Sequence, residues 1–150
     1  MKPKPMEAKR ELTILLVEDS PDDAFFFRRA LDKTGLKVAL HVAGDGEDAI
    51  DYLTNRGRFN DATRYVLPDV VFIDLKMPQM NGFELFEWIR AQFAETPFRA
   101  LALTSSDEPQ DRKRALDLGA HGYFLKPISP DQIRAAVAGI PSSRVPTPSP

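Results

Sequence analysis

Short apolar runs alternate with helix-like stretches five times along this chain, and this alternation limits the possible folds more than any other feature. The runs lie at residues 12–17, 38–42, 70–73, 100–103 and 123–125. Strands that alternate with helices form parallel β-α-β units with right-handed crossovers. A chain of 150 residues is too short for an eight-fold barrel. We therefore predict an α/β fold with a five-stranded, parallel, doubly wound sheet and five helices.

Helix boundaries are marked by serine-proline pairs and by glycines. Ser20 and Ser129 each precede a proline, which predicts a serine N-cap with proline at the first helical position. Gly35 and Gly119 are predicted stops for the first and fourth helices. Apolar residues at helical spacing place the other helical segments at 49–53, 83–93, 108–118 and up to residue 137.

The composition predicts one cytoplasmic domain between two polar ends. We expect a flexible arm at 1–11, a folded domain at 12–140 and a disordered Pro/Ser tail at 141–150, with a docking peptide as the alternative for the tail. The chain has no cysteine, which excludes disulfides and thiol chemistry. Its net charge of -2 favours neither nucleic acid nor an anionic membrane. No signal peptide or membrane-spanning run is visible in the sequence.

Polar residues stand where four of the predicted strands end. They are Glu18 and Asp19 after the first strand, Asp74 after the third, Thr104 after the fourth and Lys126 after the fifth. The carboxyl ends of strands in an open parallel sheet meet at one crevice. Three carboxylates in that space repel one another unless a cation intervenes. Mg²⁺ binds a few carboxylates together with water and phosphate oxygens, so we predict a Mg²⁺ site.

Asp74 is the best candidate for a nucleophile in this crevice. Carboxylates can form aspartyl-phosphates, and Asp74 stands at the tip of a buried apolar strand. Phosphoryl transfer depends on positioning and charge neutralisation, which Mg²⁺ and the Lys126 ammonium could supply. The Thr104 hydroxyl could bond a phosphoryl oxygen. The sequence has no Gly-rich phosphate loop, so a nucleotide is not the expected donor.

Four sequence segments now point to one family. The segments LLVEDS, VVFIDLKMPQMNG, LALTSS and GYFLKP follow one another in this order, each at a predicted strand end. Together they resemble the response-regulator receiver family, over roughly residues 12–140. The resemblance implies a flavodoxin-like sheet with strand order 2-1-3-4-5. It also implies two-component signalling, in which a sensor histidine kinase or histidine phosphotransfer protein phosphorylates Asp74.

The resemblance assigns roles to the other pocket residues. Asp19 would be a direct Mg²⁺ ligand, with Glu18 assisting through water and the backbone carbonyl of Lys76 as a third protein ligand. Lys126 would pair with the acidic cluster and then with the phosphoryl group, and its bond to Pro127 would be cis.

Four further positions match the family's switch and tuning residues. Thr104 would be the switch hydroxyl and Tyr123 the switch aromatic, with a plain strand tyrosine as the alternative for Tyr123. Lys76 and Ser106 match positions at which the family tunes the lifetime of the phosphoryl group.

The stretch between Asp19 and Asp74 is longer than in the family. The extra length is predicted to lie at 52–68, away from the acidic pocket. This feature resembles the single-domain receivers that accompany phytochrome-like sensor kinases.

Three adjacent phenylalanines in the first helix suggest a contact surface for a partner. Phe27 fits a buried stripe, so Phe25 or Phe26 is expected to be exposed. In receivers this helix docks the histidine-bearing domain. The alternative is that both rings pack in the core or under the N-terminal arm.

Two other functions compete with the phosphorylation switch. A haloacid-dehalogenase-type phosphatase also uses an aspartate nucleophile, but it needs a second acid two residues later, where this chain has Lys76. A receiver-fold binding module that works without phosphorylation is the main alternative. The expected output is contact with a downstream protein, homodimerisation or onward phosphotransfer, because no effector domain follows residue 140 and no helix-turn-helix module is visible.

Overall fold

The computed structural model describes residues 11–138, and five parallel strands form its centre. The strands are β1 (Leu12–Val17), β2 (Val38–Ala43), β3 (Val70–Ile73), β4 (Arg99–Thr104) and β5 (Gly122–Leu125). The helices are α1 (Pro21–Asp32), α2 (Gly46–Thr54), α3 (Gly82–Gln92), α4 (Pro109–Asp117) and α5 (Pro130–Val137). The sheet order β2-β1-β3-β4-β5 confirms the predicted fold class and topology. The predicted tail, and the predicted arm except Glu11, lie outside the described residues.

The two faces of the sheet are covered by different helices, and each face has its own apolar core. Strands β1 and β3 are buried at every position. On one face they pack against Phe27 of α1 and Ile133 of α5. On the other face they pack against Leu53 of α2 and Phe86 of α3. Strands covered on both sides have no polar alternation, and β1 and β3 accordingly contain a single polar residue, Thr13, before the acids at their carboxyl ends.

Helix α1 ends at Asp32, earlier than the predicted stop at Gly35. The Thr34 N–H donates to the Leu31 carbonyl oxygen at 3.0 Å, and the Gly35 N–H donates to the Asp32 carbonyl oxygen at 3.3 Å. These bonds close a tighter turn than an α-helix allows. Gly35, with a φ of 72°, then takes the left-handed conformation that glycine adopts without strain.

The predicted insertion at 52–68 folds into a compact segment beside α2. It contains a 3₁₀ helix, Gly57–Phe59, which the sequence analysis did not predict. The phenylalanine of this helix is buried, with ring centroids 5.2 Å from Tyr52 and 5.1 Å from Tyr65. Asn55 holds the segment closed, because its amide donates to the carbonyl oxygens of Phe59 at 3.2 Å and Tyr65 at 2.9 Å.

None of the helices between residues 11 and 138 combines the length and the apolar character needed to cross a membrane.

Candidate functional site

Three acidic side chains meet where strands β1 and β3 end. Glu18 and Asp19 follow β1, and Asp74 follows β3. The two strand ends are joined by the Asp74 N–H, which donates to the Val17 carbonyl oxygen at 3.1 Å. Each of the three residues offers a carboxylate oxygen, and these atoms lie within 4.8 Å of one another. Glu18 and Asp74 are buried, whereas Asp19 is exposed, so the cluster opens to solvent on the Asp19 side.

Lys126 supplies the cation at the centre of this cluster. Its Nζ lies 2.6 Å from Glu18 Oε1, 2.8 Å from Asp23 Oδ2 and 3.1 Å from Asp74 Oδ2. The backbone places it there, because the Lys126 N–H donates to the Thr104 carbonyl oxygen at 2.8 Å and continues the pairing of β4 with β5. The bond from Lys126 to the next residue, a proline, is cis, as predicted.

The buried charges perturb one another. Burial, and then the charge of Asp74, raise the pKa of Glu18 to about 7, against the hydrogen bond from Lys126 that lowers it. Burial alone would lower the pKa of Lys126, but its hydrogen bonds to Asp23 and Glu18 and the charge of Asp74 raise that pKa overall. Lys126 therefore stays protonated, and one ammonium does not fully compensate the surrounding carboxylates.

The donor set fits a small divalent cation. The atoms available are carboxylate oxygens of Glu18, Asp19 and Asp74, and hard cations such as Mg²⁺ bind oxygen ligands. Burial, and then the charge of Asp74, raise the pKa of Glu18, and a cation bound beside these carboxylates would favour their ionised form. The segment that would add the Lys76 carbonyl folds back toward Asp74, because the Lys76 N–H donates to Asp74 Oδ1 at 3.1 Å.

Thr104 and Tyr123 are linked through Ser106. Thr104 is fully buried, and its Oγ1 accepts a hydrogen bond from the Ser106 N–H at 3.2 Å. The Tyr123 hydroxyl donates to the Ser106 carbonyl oxygen at 2.6 Å. The two predicted switch residues thus bond the backbone N–H and the backbone carbonyl oxygen of one residue in the loop between β4 and α4.

Two carboxylates in this region were missed by the sequence analysis, which assigned no pocket role to either. Asp23 pairs with Lys126, and Asp111 bonds both Ser106 and Lys76. Both lie in the first turn of a helix, α1 and α4 respectively. One sequence feature could have indicated a pocket role, namely that each acid lies in the first turn of a helix that starts at the site. Acids also occur at such positions because they interact favourably with the helix dipole.

Gly82 brings helix α3 against the strand that carries Asp74. A Cβ atom added at Gly82 would lie 2.4 Å from the Asp74 carbonyl oxygen and 2.8 Å from the Leu75 Cα. Both are backbone atoms, and moving either one would distort the chain. Only a residue without a side chain allows this contact, which fixes the start of α3 on the loop that follows the candidate nucleophile.

A groove of about 310 Å³ runs beside Lys126, between α1 and the loop before α5. Phe26, Phe27 and Ile128 are among its lining residues. Phe25 and Phe26 are 54% and 55% exposed. The predicted exposure of an aromatic on α1 is therefore confirmed for both rings, and the alternative that both pack in the core is wrong for the described residues.

Comparison with known proteins gives a family and several relatives. A family model described as the response regulator receiver domain matches residues 14–138. The probable methanogenesis regulatory protein FilR2 of Methanothrix harundinacea (strain 6Ac) is 30% identical over 90% of this chain and 84% of its own length. The chain spans half or less of the length of several other curated relatives.

Solved structures agree with this result. The bacteriophytochrome response regulator RtBRR is 34% identical, with a TM-score of 0.78 over 94% of this chain and 86% of its own. The Mn²⁺-bound form of response regulator Rcp1 is 25% identical, with a TM-score of 0.68 over 86% of this chain and 91% of its own. The similarity to bacteriophytochrome response regulators agrees with the sub-group that the insertion suggested.

Proposed function

This chain belongs to the response regulator receiver domain family of two-component systems, and from that premise we propose that Asp74 is its phosphoacceptor. A receiver domain is a phosphoacceptor switch. The observation that carries the assignment is the placement of Asp74 at the end of β3, with its Oδ2 3.1 Å from the Lys126 ammonium and two further carboxylates beside it. Asp74 is the member of the cluster that directly follows the central strand β3.

In the proposed step, an Asp74 carboxylate oxygen attacks the phosphorus atom of a phosphohistidine on a sensor kinase or phosphotransfer protein. The bond from phosphorus to the imidazole nitrogen breaks, and this nitrogen keeps the electron pair and takes up a proton. The Lys126 ammonium contacts three carboxylates with its three hydrogens, so it would bond a phosphoryl oxygen in exchange for one of these contacts. The Thr104 hydroxyl is the second donor that we assign to the phosphoryl group.

Glu18, Asp19 and Asp74, with the backbone carbonyl of Lys76, would hold Mg²⁺. Bound Mg²⁺ would neutralise charge on the phosphoryl oxygens as the group is transferred. The three carboxylates support this assignment because their oxygens cluster within 4.8 Å. Lys126 and Asp23 would keep the remaining charges paired.

We assign the switch to Thr104 and Tyr123. If the Thr104 hydroxyl turns to the phosphoryl group, its bond from the Ser106 N–H is strained or lost. The Tyr123 hydroxyl, which bonds the Ser106 carbonyl, would then lose a fixed partner. The surface formed by α4 and β5 would change, and a downstream protein or a second copy of the chain would read that change.

The phosphodonor would dock on α1. The exposed rings of Phe25 and Phe26 and the groove beside Lys126 give an apolar surface next to the acidic pocket. Large aromatic side chains at an exposed site are typical anchors of a protein interface. A histidine-bearing domain seated there would present its phosphoryl group to Asp74.

The assignment is tested by incubating the protein with acetyl phosphate and Mg²⁺ and measuring the intact mass. We expect the wild type to gain one phosphoryl group and Asp74→Asn to gain none. The matched control is Asp107→Asn, an exposed aspartate in the loop before α4, which should still gain the group. The gain should disappear when EDTA removes Mg²⁺.

Equal labelling of Asp74→Asn and the wild type would refute the assignment. A wild type that takes no phosphoryl group and does not respond to beryllofluoride would instead favour the binding module that works without phosphorylation. That alternative is not favoured now, because the chain matches the family along residues 14–138 with the acidic cluster present. The cytoplasmic location and the homodimer stay predictions.

A further inference from the structure

The Asp111 carboxylate binds both loops that flank the candidate phosphoacceptor. Its Oδ2 accepts a hydrogen bond from Ser106 Oγ at 2.7 Å, in the loop between β4 and α4. The same oxygen lies 3.2 Å from Lys76 Nζ, in the loop between β3 and α3. Asp111 itself is in the first turn of α4. One oxygen atom therefore ties α4 to the residues that follow Asp74 and Thr104.

Ser106 extends this connection to the switch residues. Its N–H donates to Thr104 Oγ1, and its carbonyl oxygen accepts from the Tyr123 hydroxyl. Its Oγ, besides donating to Asp111, accepts from the Glu108 N–H at 3.3 Å. A movement of Thr104 Oγ1 toward Asp74 therefore either breaks its bond from Ser106 or moves Ser106, which donates to Asp111.

Asp111 is suited to this contact by its charge state and its position. The hydrogen bond from Ser106, and then the one from Lys76, lower its pKa, so it is ionised at neutral pH. Its side chain is 13% exposed, whereas the Lys76 side chain is 61% exposed. The carboxylate is thus held in place while the lysine reaches it across the surface.

We infer that Asp111 is a positioning residue that holds the β4–α4 loop and Lys76 in the unphosphorylated arrangement. The inference rests on the phosphoacceptor role proposed for Asp74. Asp111 contacts neither Asp74 nor Lys126 in the bonds described above, so it acts through Ser106 and Lys76. It opposes phosphorylation because its bond from Ser106 exists only while the β4–α4 loop stays where it is, and a contact present in one state alone shifts the equilibrium toward that state.

The first experiment measures amide hydrogen exchange with Mg²⁺ and no phosphodonor. Asp111→Ala should raise exchange across residues 105–112, because the bond from Ser106 that holds this loop to α4 is gone. The matched control is Asp117→Ala on the same helix, which removes one carboxylate and an exposed ion pair to Lys113. That variant should leave exchange at 105–112 unchanged. Equal exchange at 105–112 in Asp111→Ala and the wild type would overturn the inference.

The second experiment measures the rate of acetyl phosphate labelling and the affinity for beryllofluoride. Asp111→Ala should increase both by about two- to fivefold, which is the size expected for one partly exposed ion pair and one hydrogen bond. Asp111→Asn keeps an acceptor for Ser106 and should give a smaller increase. Asp117→Ala should match the wild type.

The results separate the two proposals. If the wild type is labelled on Asp74 and Asp111→Ala is labelled at the same rate or more slowly, the role of Asp111 is wrong while the phosphoacceptor stands. If the wild type takes no label, the proposed function fails, and the exchange comparison alone decides whether Asp111 holds the loop. A merely structural role would lower stability without speeding the labelling.

Discussion

Lys126 determines how the charges of the acidic pocket are balanced. One ammonium contacts three carboxylates, those of Glu18, Asp23 and Asp74. Two of these acids are buried, and a buried carboxylate without a partner is costly. The pocket is therefore held together by the same groups that we expect to perform its chemistry, and its charge state should be visible in the stability of the protein.

The pH dependence of stability should report Glu18 when no divalent cation is present. Because burial and then Asp74 raise the pKa of Glu18 from 4.5 to about 7, the native state binds more protons than the unfolded chain between these values. The free energy of unfolding should therefore fall as pH rises through this window. The side chain introduced by Glu18→Gln cannot ionise, so the free energy of unfolding of this variant should fall less over the same pH window.

Urea unfolding in EDTA at about pH 5 and about pH 8 measures this difference. Glu47→Gln, an exposed acid in the first turn of α2, is the control and should follow the wild type. If the free energy of unfolding falls equally with pH in Glu18→Gln and the wild type, the pKa of Glu18 is not raised in the folded protein.

At the scale of elements, helix α1 serves two purposes. Its first turn carries Asp23 to Lys126, and its exposed side presents Phe25 and Phe26. Phe27, one residue further on, is buried and packs edge-on against Phe72 of β3 at 5.0 Å. One helix thus packs on the sheet, contributes to the acidic pocket and carries the surface that we propose binds the kinase.

We expect Phe26→Ala to separate two routes of phosphorylation. Transfer from a histidine phosphotransfer domain should slow by about tenfold, because an exposed aromatic anchor is lost. Labelling by acetyl phosphate should stay near the wild-type rate, because this small donor needs no docking surface. Both rates come from the same intact-mass assay. Leu116→Ala, at an exposed apolar residue of α4, is the control. Equal slowing with both donors would place Phe26 in the pocket rather than at the interface.

The sequence predicted the pocket residues at the strand ends, but it did not predict those at the helix starts. Glu18, Asp74, Thr104 and Lys126 could be placed because each stands at the end of an apolar run, and the carboxyl ends of parallel strands meet at one crevice. Asp23 and Asp111 could not, because an acid in the first turn of a helix also suits the helix dipole, and its presence alone does not indicate a role in the pocket.

The insertion was located but its conformation was not predicted. Its 3₁₀ helix depends on the left-handed Asn55, with a φ of 53°, and on aromatic packing of Phe59 between Tyr52 and Tyr65. Such contacts form where the chain turns back on itself. The apolar period of two residues indicates a strand and that of 3.6 residues indicates a helix, but neither reveals these contacts.

At the scale of the whole molecule, the pocket joins parts of the chain that are far apart in sequence. The cluster takes its carboxylates from the ends of β1 and β3 and its cation from the end of β5. A ligand bound there contacts the native state only, and such a ligand stabilises the complete fold by mass action.

Mg²⁺ should therefore raise the stability of the domain as a whole. The expected gain is about 2.7 kcal/mol when free Mg²⁺ is about 100 times its Kd. Asp19→Asn should require a higher Mg²⁺ concentration for the same gain, because it removes a charged ligand. Thermal unfolding over a Mg²⁺ titration measures this, with Asp22→Asn, an exposed acid at the start of α1, as the control. A melting temperature that does not respond to Mg²⁺ would contradict the metal assignment.

The compact insertion also has a practical use. Residues 60–64 are exposed, and the segment is held by α2 and by Arg58, which donates to the Val42 carbonyl oxygen, rather than by the acidic pocket. The chain contains no cysteine, so a thiol introduced by Ala62→Cys would be unique. A fluorophore attached there would sit on a folded support outside the acidic pocket, and it would leave the pocket residues and the exposed rings of Phe25 and Phe26 unaltered.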